Sequence, residues 1–99
     1  MKTKVIFRKW KDTGSVIALF PREAGTRDPW TCSSYMHIGQ HGSASVDIVR
    51  CTVPATPAEY ASLKRELENY GPPEAHYLLD IRKRFTRADY EERKKQIAR

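Results

Sequence analysis

The residues best suited to chemistry lie close together in residues 31–46, TCSSYMHIGQHGSASV, which hold two of the three histidines and two of the five glycines. Alternation over the first half predicts a strand that places Tyr35 and His37 side by side on the open face of a sheet. Gly39 to Ser43 would then form a turn of exposed backbone N–H groups near a helix start, an arrangement that binds phosphate or carboxylate. The predicted ligand-binding residues are Tyr35, His37, Gly39, Gln40, His41, Gly42 and Ser43.

Two histidines four residues apart also suit acid–base catalysis. His37 and His41 would serve as base and acid in RNA cleavage, with a lysine or arginine holding the phosphate. The spacing identifies no nucleophile, base and orienting residue, so we assign no catalytic residue and keep a small basic ribonuclease as the second hypothesis. Cys32 and Cys51 flank the histidines, but their spacing matches no common zinc module, and we predict neither a metal nor a cofactor.

The charge of the chain is concentrated at its two ends. The 99 residues carry a net charge of +6, with +5 in residues 1–11, +5 in residues 82–99 and −4 between them. Cations are interleaved with an aromatic residue in both RKWK (8–11) and RKRF (82–85), a mixture that holds single-stranded nucleic acid. A lysine-protected strand edge is the alternative interpretation. The residues expected to attract an anionic ligand are Arg8, Lys9, Arg82 and Arg84.

Hydrophobic periodicity predicts the elements that position these residues. Residues 4–20 alternate around a turn at Gly14 and predict a β-hairpin, and residues 21–29 predict a loop. Residues 45–52 fit either a short helix, capped by Ser43 or Ser45, or a strand.

The C-terminal half predicts two helices and a further strand. Thr56 and Glu59 form a capping box with a proline between them, and apolar positions follow at helical spacing. Residues 74–83 alternate and predict a strand. Thr86 caps a basic helix over residues 86–99, whose thin apolar stripe predicts loose docking or contact with a partner.

Together these elements predict one α+β domain over residues 1–99. We expect a small antiparallel sheet of about four strands in the order β-β-β-(α)-α-β-α, with helices mainly on one face. No apolar run approaches the ~18 residues that span a membrane, and the basic N-terminus does not have the pattern of a signal peptide. We therefore expect a cytoplasmic protein with reduced cysteines and no membrane partner.

Three segments of the chain resemble small uncharacterised proteins encoded by bacteriophages and integrated mobile elements. They are VIFRKWKDTGSVIALFP, CSSYMHIGQHGSAS and TVPATPAEYASLKRELE, of which YMHIGQH is the most specific part. The resemblance covers about residues 4–80 and leaves out the last helix. It implies an accessory protein that acts by binding in the host bacterial cytoplasm, for instance in counter-defence or host takeover.

The leading hypothesis is therefore a non-enzymatic binding module of mobile-element origin that takes an anionic ligand, either a nucleotide or a nucleic acid. The ribonuclease is the second hypothesis. The third is a protein-interaction module that forms a homodimer or sequesters a host protein.

Overall fold

A computed structural model describes residues 3–36, 40–69 and 79–98 of the chain. These residues form one six-stranded sheet with two α-helices and a 3-10 helix, which confirms the predicted α+β class with two more strands than expected. The strands are β1 (Thr3–Trp10), β2 (Val16–Ala24), β3 (Thr31–Met36), β4 (Gln40–Ser45), β5 (Thr52–Pro54) and β6 (Leu79–Arg82). The helices are the 3-10 helix (Val46–Arg50), α1 (Pro57–Glu68) and α2 (Arg87–Ile97).

The strand order places β4 at one edge of the sheet. The order is β4-β3-β2-β1-β5, and β6 also pairs with β1. Neighbouring strands are antiparallel except β6, which runs parallel to β1. β5 pairs with the end of β1 and β6 with its start, so the two short strands share one side of β1.

The predicted β-hairpin is confirmed, but its second strand is longer than expected. β1 pairs with β2 across a turn in which Gly14 has a φ of 76°, a value that glycine adopts readily. The loop prediction for residues 21–29 is wrong in its first part, because β2 continues to Ala24. The register with β3 is irregular between Phe20 and Ala24, and this irregularity hides the strand from a test of strict alternation.

Gly25 follows this irregular stretch at a point where the chain is tightly packed. A Cβ there would lie 2.6 Å from the Cβ of Ser43 and 2.8 Å from the carbonyl carbon of Cys32. We expect Gly25→Ala to lower the free energy of unfolding by about 1–3 kcal/mol, measured by urea denaturation. Gly42→Ala is the matched control, since its Cβ would meet only the Ser34 Oγ, at 3.6 Å. Equal losses in the two variants would contradict this account.

Apolar side chains cover both faces of the sheet. On the face that α1 covers, here called the α1 face, the core consists of Val5, Phe7, Ala18, Phe20, Tyr35, Leu63 and Leu67. On the opposite face, here called the α2 face, it consists of Ile6, Ile17, Leu19, Cys32 and Ile48. The expectation of helices mainly on one face is therefore wrong, because the 3-10 helix and α2 lie across the sheet from α1.

Helix α1 is the element that local signals describe best. Its capping box is confirmed, with the Thr56 hydroxyl accepting from the Glu59 N–H and the Glu59 carboxylate accepting from the Thr56 N–H. Leu63 and Leu67 are fully buried against the sheet. The helix ends at Glu68.

Helix α2 is held against the sheet by polar side chains. Its capping box joins Thr86 and Asp89, which confirms the predicted cap. The Asp89 carboxylate is 1% exposed and forms ion pairs with Lys4 at 3.3 Å and Arg22 at 2.9 Å. α2 therefore docks on the sheet through buried ion pairs, whereas its thin apolar stripe predicts only loose docking.

Two further turns of α2 continue this polar contact. Arg93 is 1% exposed and donates hydrogen bonds to the carbonyl groups of Pro21 and Pro29. Gln96 accepts from the N–H of Ala24 and donates to the carbonyl of Arg22. Asp89, Arg93 and Gln96 together therefore fasten the inner side of α2 to the irregular end of β2.

The remaining predictions are confirmed in part. In residues 45–52 the short helix capped by Ser45 is confirmed, as a 3-10 helix, and the alternative of a strand over this range is wrong, because β5 begins only at Thr52. The strand predicted over residues 74–83 corresponds to β6 at Leu79–Arg82, and residues 74–78 lie outside the described residues. Within the described ranges, neither helix has the length and apolar character needed to cross a membrane.

Candidate functional site

The anion site predicted in residues 31–46 is not assembled as expected. Tyr35 is 1% exposed and belongs to the core of the α1 face, so its predicted place on an open face is wrong. The cause is α1, whose leucines cover this side of the sheet. His37 and Gly39 lie outside the described residues.

The other predicted ligand residues lie on an edge strand and not in a turn. Gln40, His41, Gly42 and Ser43 are exposed and belong to β4, which pairs along its length with β3. The element that follows is a 3-10 helix of five residues, and the Ser45 side chain already accepts from the Asp47 N–H at its start. The predicted cradle of free N–H groups at a helix start is therefore wrong.

Two side chains lie near His41 at the edge of the sheet. Its ring meets the Tyr35 ring edge-on, with 4.7 Å between centroids and 65° between planes. Burial raises the pKa of the nearby Glu23 carboxyl, and the His41 charge partly opposes this shift. The carboxyl and the imidazole are therefore close enough to interact electrostatically.

The four predicted cations do not form one positive patch. Lys9 forms an ion pair with Glu59 of α1 and lowers the pKa of that carboxyl to about 2. Arg8 lies on the α2 face, where it donates to the Thr52 hydroxyl at 2.9 Å, and burial lowers its pKa. Arg82 pairs with Asp80 at 2.9 Å, and Arg84 is exposed. Two of the four predicted cations are therefore already paired with carboxylates. Lys9 pairs with Glu59 of α1, and Arg82 pairs with Asp80 at the surface.

The two cysteines have different surroundings. Cys32 is buried on the α2 face, and burial raises the pKa of its thiol to about 11. Cys51 is exposed. In residues 3–36, 40–69 and 79–98, no three His, Cys, Asp or Glu side chains are grouped as metal ligands would be.

The α2 face carries an aromatic cleft at the start of α2, here called the α2 cleft. Its volume is about 380 Å³. Trp30 is 45% exposed, and its ring meets the Tyr90 ring at 63°, with 6.3 Å between centroids. The residues that line the cleft are Trp30, Val46, Phe85, Thr86, Arg87, Tyr90 and Arg93.

Arg93 gives the α2 cleft a rigid, cationic base. Its guanidinium carbon lies 5.6 Å from the centre of the Phe85 ring and 5.8 Å from that of Tyr90, within the range of cation–π attraction. Its hydrogen bonds to two backbone carbonyls fix its orientation. The Phe85 and Tyr90 rings therefore pack against a cation whose position is fixed by the backbone.

A second cleft, here called the Trp10 cleft, lies on the other side of the 3-10 helix. It also measures about 380 Å³. Val46 lines the α2 cleft, whereas Asp47 and Ile48 line the Trp10 cleft, so the 3-10 helix separates the two. The residues that line the second cleft are Trp10, Ile17, Ser43, Ala44, Ser45, Asp47, Ile48 and Cys51.

Cations are available near both clefts. At the α2 cleft, Arg87 lines the cavity and is exposed. Lys83 lines a different cavity, together with Phe7 and Tyr60. Near the Trp10 cleft, Lys11 donates to the carbonyl of exposed Arg50 at 3.0 Å. The Asp47 carboxylate opposes these charges in the Trp10 cleft, so the α2 cleft is the more favourable of the two for an anion.

The structure places an aromatic residue from each of the two segments that the charge pattern singled out on the α2 face. Trp10 and Phe85 come from opposite ends of the chain, and both pack against the core of the α2 face. Trp30 and Tyr90 were not predicted as site residues. The sequence did contain a signal for Trp30. It directly follows a proline in a polar loop, where no neighbouring residue would bury a tryptophan, so an exposed ring could have been predicted.

Comparison with protein-family models, curated proteins and solved structures finds no match to this chain. The function is therefore argued from the site itself.

Proposed function

We propose that this protein binds single-stranded nucleic acid on its α2 face. The observation that carries the proposal is the pair of aromatic clefts on either side of the 3-10 helix, one lined by Phe85 and the other by Trp10, the aromatic residues of the two basic segments. Single strands are held by this combination, since bases stack on aromatic rings while cations pair with the phosphates between them.

The α2 cleft would take one base against the exposed Trp30 ring, with Arg87 close enough to the rim to pair with a phosphate. The Trp10 cleft would take a further base of the same strand, and its Asp47 would make it the weaker subsite. The clefts are shallow and mostly apolar, which suits stacking better than reading of base edges. We therefore expect little sequence preference.

This proposal retains an anionic ligand and moves its main contacts from residues 39–43 to the aromatic clefts of the α2 face, where Ser43, Ala44 and Ser45 of β4 line part of the Trp10 cleft. With the resemblance to phage and mobile-element proteins, it would describe a small accessory protein that binds nucleic acid in the host bacterial cytoplasm.

Fluorescence provides a direct test, because the two tryptophans of the chain each line one cleft. We expect single-stranded oligonucleotides to quench this emission and to bind more tightly than a duplex of the same length. The binding constant should also fall with salt. With three or four phosphate contacts, a plot of the logarithm of the binding constant against the logarithm of the salt concentration should have a slope of about −2 to −3. Absence of quenching at low salt, or preference for the duplex, would contradict the proposal.

A ribonuclease is the second candidate, favoured by the interaction between Glu23 and the exposed His41. The same titration distinguishes it, since RNA recovered after incubation would be shortened by an enzyme and intact after simple binding. Cleavage that is lost in His41→Ala would support the enzyme, and cleavage that persists in this variant would assign the activity elsewhere.

A further inference from the structure

β4 forms one edge of the sheet. β4 is the terminal strand of the order, and within the described ranges no strand lies beyond it. Five of its six residues are exposed. In an edge strand of an antiparallel pair, alternate residues direct their N–H and C=O groups away from the sheet, where they can pair with another chain.

The sequence of β4 contains none of the usual protections against such pairing. QHGSAS has no lysine, arginine, acid or proline, whereas natural proteins commonly place these residues on exposed edges. The opposite side of the sheet differs. β5 has three residues and ends in Pro54, and β6 carries the charged pair of Asp80 and Arg82.

We propose that β4 pairs antiparallel with β4 of a second copy of this chain, about a two-fold axis near Gly42 and Ser43. An antiparallel edge is its own complement, so one strand supplies both sides of a closed, isologous contact. The chain carries a net charge of +6, which repels a second copy, but β4 has no lysine, arginine or acid. Small side chains at residues 42–45 leave room for close approach of the two strands.

Such a dimer would also change how nucleic acid is bound. This consequence rests on the proposed function, whereas the dimer itself does not. A two-fold axis between antiparallel strands stands perpendicular to the sheet, so both α2 faces lie on the same side of the dimer. Two copies of each cleft would then face one nucleic-acid strand. A single strand long enough to reach both copies would bind more tightly than a short one through effective concentration.

The test is the molar mass in solution, measured by light scattering over a range of protein concentrations. We expect the wild type to approach twice the 11.4 kDa of one chain at high concentration. Gly42→Lys should weaken the dimer by about tenfold or more, because it places like charges opposite each other near the axis. A Cβ at this position meets only the Ser34 Oγ at 3.6 Å, so the variant is expected to fold. Gly42→Ala is the uncharged control and should remain dimeric.

Amide hydrogen exchange in the wild type gives a second measurement that needs no variant. Protection of amides in residues 40–45 should increase with protein concentration. A wild type that stays monomeric, or a folded Gly42→Lys protein that stays dimeric, would overturn the proposal. Neither result would decide the proposed function. If the protein is monomeric and oligonucleotides still quench its tryptophan emission, nucleic-acid binding stands and only the dimer is excluded.

Discussion

Replacing Trp30 with alanine should weaken binding of single-stranded oligonucleotides by about tenfold or more, the usual effect of losing one stacked base. Trp30 is 45% exposed, and its described ring contact is the edge-on approach to Tyr90. The substitution therefore removes a stacking surface and little of the core. Fluorescence anisotropy with a labelled oligonucleotide measures the affinity, and thermal unfolding of the same samples checks the fold.

Two matched substitutions decide whether the effect belongs to the α2 cleft. Trp30→Phe keeps an aromatic surface and should recover most of the affinity. Ile81→Ala removes an exposed apolar side chain of β6 that is 37% exposed and lines neither cleft of the α2 face, so the affinity should not change. Unchanged binding by Trp30→Ala, or equal losses in Trp30→Ala and Ile81→Ala, would exclude the α2 cleft as the binding site.

Replacing Asp89 with asparagine should lower the free energy of unfolding by about 2–4 kcal/mol. The Asp89 carboxylate is 1% exposed, and its removal leaves Lys4 and Arg22 without their partner. The lower end of the range reflects the 44% exposure of the Arg22 side chain, where water compensates part of the loss. Urea denaturation measures the difference.

Asp80→Asn is the control for this substitution, because the Asp80–Arg82 pair is exposed and contributes at most about 1 kcal/mol. A loss in Asp89→Asn no greater than that in Asp80→Asn would mean that α2 is not fastened through its buried carboxylate.

The same carboxylate makes stability depend on pH. Burial opposes the ionisation of Asp89, but hydrogen bonds from Arg22 and Thr86 and the charge of Lys4 outweigh it and lower the pKa of the carboxyl. A lowered pKa in the folded state stabilises the protein above the unfolded value of about 3.9, and this contribution is lost as the pH falls through the folded value. The difference in stability between wild type and Asp89→Asn should therefore shrink below about pH 4. A constant difference down to pH 2 would contradict the assignment.

The candidate site shows why residue spacing was an incomplete guide. Alternation correctly placed Tyr35 and Cys32 on opposite faces of β3, but it did not indicate that both faces would be covered. The expected open face carrying Tyr35 became core because α1 packs on it. The segments around Trp10 and Phe85 were identified from local composition, yet the placement of both aromatic residues on the α2 face depends on contacts between distant parts of the chain.

The sequence by itself determined the elements whose causes are local. The turn at Gly14 and the capping boxes at Thr56 and Thr86 each depend on residues within a few positions, so their chemistry can be read along the chain. The tertiary structure alone decided the position of α2 and, with it, the clefts. This helix docks through the polar side chains Asp89, Arg93 and Gln96, whose partners are distant in sequence. Hydrophobic periodicity cannot detect such contacts, because it measures apolar burial and not buried hydrogen bonds.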